Sequence, residues 1–227
     1  MRSRAFTTFL FLVNLSAATD GPRDAILARM DKAASEFKNM TARGTYLTHT
    51  DVINEDSTET GSAVMKKVAA GQVQGLIDFP DRTVTYENRT VRIYYPKMNT
   101  IQEFDLGEQS EQLDQFFKLG FGTSGTELAK EWDVKALGTE TLKGVEGKQT
   151  IRLQLIPKTV EWRKYVTKVE LWIPVTGDPY PIQEKISQPS GDYKLITYTE
   201  LKTNQPLPPG ATQLKPHLGF KTVYPGK

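Results

Sequence analysis

The chain has 227 residues, of which 10% are aromatic, and carries 29 Lys and Arg against 27 Asp and Glu. This length is sufficient for one domain with a sizeable core, and the balanced charge argues against nucleic-acid binding, which needs a clustered basic surplus. The lack of cysteine excludes disulfides, thiolate nucleophiles, Cys-ligated metals and lipid attachment through an N-terminal cysteine.

The N-terminus, MRSRAFTTFLFLVNLSAATDG, combines a basic start, an apolar run and small residues up to Ala18. This pattern is typical of a cleavable secretory signal, and we expect cleavage after Ala18. Removal of residues 1–18 takes away Arg2 and Arg4 and leaves equal numbers of acidic and basic residues. No other stretch approaches the ~20 apolar residues of a membrane span. We therefore expect an exported, soluble protein without stable membrane insertion.

An amphipathic helix is predicted at the start of the mature chain. From Asp24 to Met40, apolar residues recur at helical spacing, with charged residues on the other side. Asp24 is the expected N-cap, after the helix-breaking pair Gly21-Pro22. Its apolar stripe must pack on another element, and a sheet is the candidate large enough to receive it.

Two strands should follow, joined by a polar loop from Asn54 to Gly61. This loop has several carboxylates, but it lacks the alternating ligand spacing, the central glycine and the closing glutamate of a calcium loop. We interpret it as a solvated hairpin loop.

The segment Arg82–Asp105, RTVTYENRTVRIYYPKMNTIQEFD, predicts a three-stranded antiparallel meander. A turn centred on Asn88-Arg89 would place Tyr86 opposite Val91 and Val84 opposite Ile93, all on one apolar face. What this face holds is the functional question.

A short helix from Ser110 to Leu119, flanked by glycines, predicts a hinged lid that carries Phe116 and Phe117. The alternative is that the two phenylalanines are ordinary core residues of a helix packed on a sheet.

Alternating strands resume at Trp132 and continue to Thr203, with Leu153, Val169 and Leu171 on their apolar sides. Turn signals fall at hairpin spacing, and we count about eleven antiparallel strands in all. Beyond Asn204 the chain is rich in proline, which predicts an extended strap along the sheet. Its apolar residues are expected to dock part of it: Leu214, Leu218, Phe220 and Val223.

Residues for bond chemistry are scarce. His49 and His217 are the two histidines, too few for a His-based metal site, and neither is near a strained serine turn. We therefore expect no metal, no cofactor and no enzymatic activity.

The order of elements resembles the periplasmic lipoprotein-carrier family, the outer-membrane lipoprotein-sorting proteins. The stretches that carry the resemblance span roughly residues 24–210: a signal followed by the helix, the hairpin YENRTVRIYYPKMNTIQEF, the insertion EQLDQFFKLGFG and the final hairpin YPIQEKISQPSGDYKLITYTELKTNQPLP. The resemblance implies an α+β fold, mostly antiparallel β, in which an incomplete, open and strongly curved β-barrel has helices over its concave apolar face. Residues 1–18 would be the signal, 19–204 the half-barrel domain and 205–227 the Pro-rich tail.

By the same resemblance, the protein is expected to be a monomeric periplasmic carrier that ferries acyl chains of lipoproteins, or related lipids, toward the outer membrane. An inner-membrane exporter and an outer-membrane acceptor are the candidate partners. The alternative is a sensor module that uses the same half-barrel to detect lipids or lipoproteins and signals to a protein partner. The predicted ligand-binding residues are Val84, Tyr86, Val91, Ile93, Phe116, Phe117, Leu153, Val169 and Leu171.

Overall fold

The computed structural model describes residues 21–68, 72–107, 118–142, 145 and 147–225. The predicted signal, residues 1–18, and the predicted lid residues Phe116 and Phe117 lie outside these ranges. The described elements are, in chain order, α1 (Gly21–Glu36), β1 (Asn39–Thr50), β2 (Glu55–Lys67), β3 (Val73–Asp78), β4 (Thr83–Glu87), β5 (Thr90–Tyr95), β6 (Thr100–Asp105), α2 (Gly125–Glu131), β7 (Trp132–Thr141), β8 (Gln149–Pro157), α3 (Val160–Arg163), β9 (Lys168–Pro174), β10 (Gln183–Ser187), β11 (Tyr193–Thr203) and β12 (Lys221–Val223).

The described strands form one sheet in the order β12-β6-β5-β4-β3-β2-β1-β11-β10-β9-β8-β7. Neighbours in the sheet are antiparallel except β12 and β6, which run parallel. Because β12 and β7 are the two edges, the sheet stays open, and its twist curves it into an incomplete barrel. This confirms the predicted fold class, with twelve strands in the described residues instead of about eleven, because the C-terminal segment adds β12.

The central hairpin has the predicted register. Tyr86 lies opposite Val91, and Val84 lies opposite Ile93. Asn88 and Arg89 form the turn with φ angles of 48° and 66°, both in the left-handed region that a two-residue turn matching the strand twist requires. Because side chains alternate along a strand, this register places the apolar residues of β4 and β5 on the concave face.

Helix α1 begins and ends earlier than predicted. It spans Gly21–Glu36, so Pro22 lies in the first turn, where its missing N–H removes no intrahelical hydrogen bond. At the other end, the Asn204 side chain accepts a hydrogen bond from the Lys38 N–H (2.7 Å) and donates one to the Glu36 carbonyl (3.2 Å). These bonds hold the chain where it leaves the helix and enters β1.

The polar segment predicted as a loop at Asn54–Gly61 is mostly strand. A tight turn over residues 51–54, with Asn54 at a φ of 50°, joins the two strands, and β2 begins at Glu55. Its pairing with β1 is continuous along the whole length of β2 up to Lys66. The loop prediction was wrong because both faces are exposed at this end of the hairpin, so the strand lacks apolar alternation.

The Pro-rich C-terminal segment crosses the convex face of the sheet. The His217 N–H donates a hydrogen bond to the Tyr94 hydroxyl (3.0 Å), and the Thr212 hydroxyl donates one to the side-chain oxygen of Gln74 (3.3 Å). Strand β12 then extends the sheet beside β6. The expectation that the apolar residues of this segment dock was wrong for Leu218, Phe220 and Val223, which are exposed. Leu214 is half-buried, and backbone pairing and polar contacts also attach the segment.

The concave face has two halves, and the first, which we call the packed half, comprises β7 to β10 under α1 and α2. The helices touch closely, since a Cβ on Gly125 of α2 would lie 2.2 Å from the Leu27 carbonyl oxygen of α1. The buried side chains come from both helices and from the strands: Ile26, Leu27, Met30, Leu128, Leu153, Leu155, Val169, Leu171 and Ile173. These residues form a continuous core.

The second half, which we call the open half, comprises β1 to β4 and β11, and it shares β10 with the packed half. Its buried residues include an aromatic cluster, formed by Phe37, Tyr86, Phe121, Tyr180 and Tyr198. Phe121 belongs to the turn that precedes α2. This half contains the space described next.

Candidate functional site

A cavity of about 400 Å³ lies on the concave side of the open half. Strands β1 to β4, β10 and β11 form its walls, together with Leu119 and Phe121. The apolar part of the wall includes Met40, Ala63, Met65, Val73, Ile77 and Ile196. The volume is within the ~300–1,000 Å³ that is typical of sites for small organic ligands.

One end of the cavity, which we call the mouth, is polar and aromatic. Oε1 of Glu59 lies 2.7 Å from Nη2 of Arg82, and the Arg82 guanidinium carbon lies 4.2 Å from the centre of the Phe79 ring. Tyr46 packs edge to face on Phe79, with 5.0 Å between ring centres. The hydrogen bond to Glu59 raises the pKa of Arg82 above its ordinary value, so this group is always charged. Lys194 adds an exposed cation to the same lining.

Buried aromatic rings form the opposite end. Phe121 stacks on Tyr180, with 5.8 Å between centres, and meets Tyr198 edge to face at 5.3 Å. Tyr180 also contacts Phe37, which follows α1, at 5.8 Å. Burial raises the pKa of Tyr180 to about 12 and that of Tyr198 well above its ordinary value, so both hydroxyls are neutral. Of these residues, Phe121 and Tyr198 line the cavity, and neither adds a charge to it.

Glu184 is a buried carboxyl in the cavity wall. The residue is 6% exposed, and its Oε1 has no hydrogen-bond partner. Burial raises the pKa of Glu184 to about 8, and the interaction with the Tyr198 hydroxyl opposes only part of this rise. Burial, with a further contribution from Glu184, also raises the pKa of Tyr46 to about 12. At neutral pH the wall thus holds an uncharged carboxylic acid.

Two of the predicted ligand-binding residues, Val84 and Tyr86, line the cavity. Val91 and Ile93 lie opposite them on β5, on the same face but one strand beyond the lining, and Val91 packs against the aromatic cluster. The structure thus brings part of the predicted β4–β5 face to the cavity.

Three other predicted residues lie in the packed half. Leu153, Val169 and Leu171 have no exposed surface and pack beneath α1 and α2. They share the concave face with the cavity, but the two helices occupy the space in front of them. Phe116 and Phe117 lie outside the described residues, so their role as a lid stays a prediction.

Sequence reasoning missed several lining residues. Tyr46, Ile196 and Tyr198 are in strands that were predicted, and their alternation could have placed them on the concave face. Alternation with Ile182 and Ile186 places Glu184 on the apolar face, but an unpaired glutamate is almost never fully buried, so the sequence did not predict its burial. Its burial depends on the turn before α2, which covers it.

In the described part of the chain, no helix is both long and apolar enough to cross a bilayer.

Comparison with known proteins shows similarity at the level of the fold. No protein-family model and no curated protein matches the chain. An uncharacterised conserved protein from Thermus thermophilus is similar over 89% of this chain and 99% of its own, with a TM-score of 0.50 and 15% identity. A LolA superfamily protein from Nitrosomonas europaea is similar over 85% and 97%, with a TM-score of 0.41 and 10% identity. The lipoprotein LppX from Mycobacterium tuberculosis is similar over 84% of this chain and 99% of its own, with a TM-score of 0.48 and 13% identity. At 15% identity, the likeness to the Thermus thermophilus protein shows the fold alone.

Proposed function

We propose that the protein is a carrier that binds acyl chains of lipoproteins, or of related lipids, in the cavity of the open half. The observation that supports this most directly is that about 400 Å³ on an apolar sheet face is not filled by side chains of the described residues. Apolar faces are normally filled by the protein itself, because burial of apolar surface stabilises the fold. An apolar face that is left unfilled lowers the stability of the fold, and a bound hydrocarbon would offset this loss.

The energetics suit a hydrocarbon ligand. Burial of one methylene contributes about 0.8 kcal/mol, so transfer of a C16 chain from an apolar environment into water costs on the order of 10 kcal/mol. A carrier must supply apolar contacts that offset this free energy. The wall offers apolar side chains such as Met40, Met65 and Val73, with polar groups concentrated at the mouth around Glu59 and Arg82. A chain would therefore lie along the apolar wall with its polar end at the mouth.

The proposed contacts follow the lining. Val84 and Tyr86 on β4 would contact the chain from one side, and Ile196 and Ile186 from the other. Phe116 and Phe117 are kept as the proposed lid, on the basis of the sequence. Movement of such a lid would allow uptake and release without unfolding of the sheet.

Filling the cavity tests the proposal. Gly75 faces the cavity opposite Tyr86, and a Cβ there would meet no atom closer than the Val64 carbonyl oxygen, at an ordinary 3.7 Å. Gly75→Leu should therefore fold normally and place its side chain in the cavity. We expect the Kd for a fluorescent C16 fatty acid, measured by titration of the delipidated protein, to rise at least about tenfold, or about 1.4 kcal/mol.

A matched control adds the same side chain on the other face. Thr60 is exposed and follows Glu59 on β2, whose side chain lines the cavity, so the Thr60 side chain points to the opposite face. Thr60→Leu should leave the Kd unchanged. Binding by Gly75→Leu that equals wild-type binding, with both variants folded by circular dichroism, would rule out the cavity as the ligand site.

The cellular role follows from the predicted signal and the resemblance in sequence. We propose that the protein is exported to the periplasm and ferries its cargo toward the outer membrane, receiving it from an inner-membrane exporter and delivering it to an outer-membrane acceptor. Cell fractionation would test the location. Mass spectrometry of lipids that co-purify from that compartment would test the cargo.

A further inference from the structure

The carboxyl group of Glu184 is an unusual component of a hydrocarbon site. It lies in the wall of the apolar cavity, it is 6% exposed, and its Oε1 has no hydrogen-bond partner. A buried polar group without a partner destabilises the folded state, and replacement by an apolar residue of similar size would remove that cost. Its presence in the cavity therefore needs an explanation beyond the fold.

A second buried glutamate shows what structural pairing looks like in this protein. Glu170 on β9 is 2% exposed, and its carboxylate lies 2.6 Å from Nη2 of Arg152 and 3.0 Å from Nζ of Lys168. Among the described residues, no basic group lies within ion-pair distance of Glu184. The Glu184 carboxyl therefore has an oxygen that is available to form a hydrogen bond with a ligand.

The position of Glu184 limits which part of a ligand it can contact. Glu184, Ile196, Tyr46 and Glu59 pair in one row across β10, β11, β1 and β2, so three strand spacings separate Glu184 from Glu59. Neighbouring strands lie about 4.8 Å apart, so this row spans about 14 Å along the curved sheet. A ligand with its polar head beside Glu59 and Arg82 would therefore present its hydrocarbon portion, and not its head, to Glu184.

We propose that Glu184 binds a hydroxyl group on the hydrocarbon portion of the ligand, so that the cavity selects hydroxylated acyl chains over plain ones. This inference rests on the proposed carrier function. A carboxylic acid has one O–H donor and acceptor oxygens, and a hydroxyl group likewise donates and accepts, so each satisfies the other. A cationic ligand fits less well, because it would require two charges to leave water for an apolar cavity.

The local geometry permits this contact. Oε1 of Glu184 now faces the turn before α2, where a Cβ on Gly120 would lie 3.1 Å from it. The terminal torsion of a glutamate side chain is broad, so a small rotation can turn this oxygen toward the cavity. The raised pKa of the Glu184 carboxyl, about 8, keeps it protonated and able to donate near neutral pH.

Matched probes test the inference. The Kd of the delipidated protein would be measured for stearate and for 2-, 3- and 12-hydroxystearate, which share chain length and head group and differ in the hydroxyl. We expect at least one hydroxylated chain to bind about tenfold more tightly than stearate. Glu184→Gln, whose amide also donates and accepts, should keep this preference. Glu184→Met, which is apolar and similar in shape, should bind stearate and lose the preference.

Each outcome decides between the proposals. Equal affinity of wild-type protein for all four acids, or a preference that persists in Glu184→Met, would overturn the role of Glu184 and leave the carrier proposal standing. Absence of binding by all four acids would overturn both. Tighter binding of octadecylamine than of any hydroxylated acid, dependent on Glu184, would overturn the hydroxyl assignment in favour of a cation. Because the wild-type series is sufficient to refute the inference, the test does not depend on the folding of Glu184→Met.

Discussion

The two halves of the concave face are built from strands with the same apolar alternation, yet they are filled differently. In the packed half, Leu153, Val169 and Leu171 have no exposed surface, because α1 and α2 cover them. In the open half, Val84 is only partly buried and lies beside about 400 Å³ of space. Alternation along the strands creates an apolar face, and the position of the helices decides whether that face becomes core or a binding surface.

The largest expected effect is the difference in stability lost when an apolar side chain is truncated in the packed half and in the open half. Leu153→Ala removes a side chain with no exposure from beneath α1, which should lower the free energy of unfolding by about 2–5 kcal/mol. Val84→Ala removes a side chain that already borders empty space, so we expect a loss of about 1 kcal/mol or less. Urea unfolding of both variants without ligand measures the difference. Equal losses would mean that the two halves are equally well packed and that the contrast drawn between them is wrong.

Two buried carboxyl groups on neighbouring strands, Glu170 on the convex face and Glu184 on the concave face, also differ in their partners. Burial raises the pKa of Glu170, but hydrogen bonds from Lys168 and Arg152 outweigh burial, so the net pKa is lowered. Glu184, on the adjacent strand, has no such partners, and burial raises its pKa to about 8. The tyrosines that face Glu184, Tyr46 and Tyr198, have raised pKa values and stay neutral below pH 9.

These opposite shifts predict opposite dependences of stability on pH. For Glu184, the folded protein binds more protons than the unfolded chain between about pH 4.5 and 8, so wild-type stability should fall across this range and then level off. Glu184→Gln should remove this fall, a difference on the order of a few kcal/mol. Urea unfolding at about pH 5, 7 and 9 would measure it.

Glu170→Gln provides the control. The stability that the lowered pKa of Glu170 contributes is present above the ordinary value of 4.5 and is lost as the pH falls below it. Glu170→Gln should therefore leave the dependence of the free energy of unfolding on pH unchanged between pH 5 and 9. Parallel stability curves for wild-type protein and Glu184→Gln over that range would show that Glu184 is hydrated and not buried.

Much of the fold could be predicted from sequence, because local patterns determine it. The turn at Asn88-Arg89 requires two left-handed residues, and this requirement alone sets the register of Val84 against Ile93. The open antiparallel sheet follows from alternation and turn spacing. Such signals act over a few residues, and a single sequence contains them in full.

The position of the cavity could not be predicted in the same way. The apolar stripe of α1 indicates that it packs on a sheet, but it contains no information on which strands it covers. From the sequence, Leu153 and Val84 were equally good candidates for the lining of a cavity. In the structure the helices cover Leu153 and leave Val84 beside the cavity. Glu184 was missed for a related reason, since its burial depends on the turn at Gly120, which is distant from it in sequence.

The smallest expected effect concerns the mouth of the open half. The ion pair between Glu59 and Arg82 is partly exposed, with side-chain exposures of 37% and 25%, so Glu59→Gln should change the free energy of unfolding by less than about 1 kcal/mol. Any difference from wild type should disappear near 1 M NaCl, because salt screens exposed charges. A difference that persists at that salt concentration would indicate that Glu59 acts by holding the guanidinium of Arg82 on the Phe79 ring, 4.2 Å away. The mouth would then be held together by aromatic packing and not by charge.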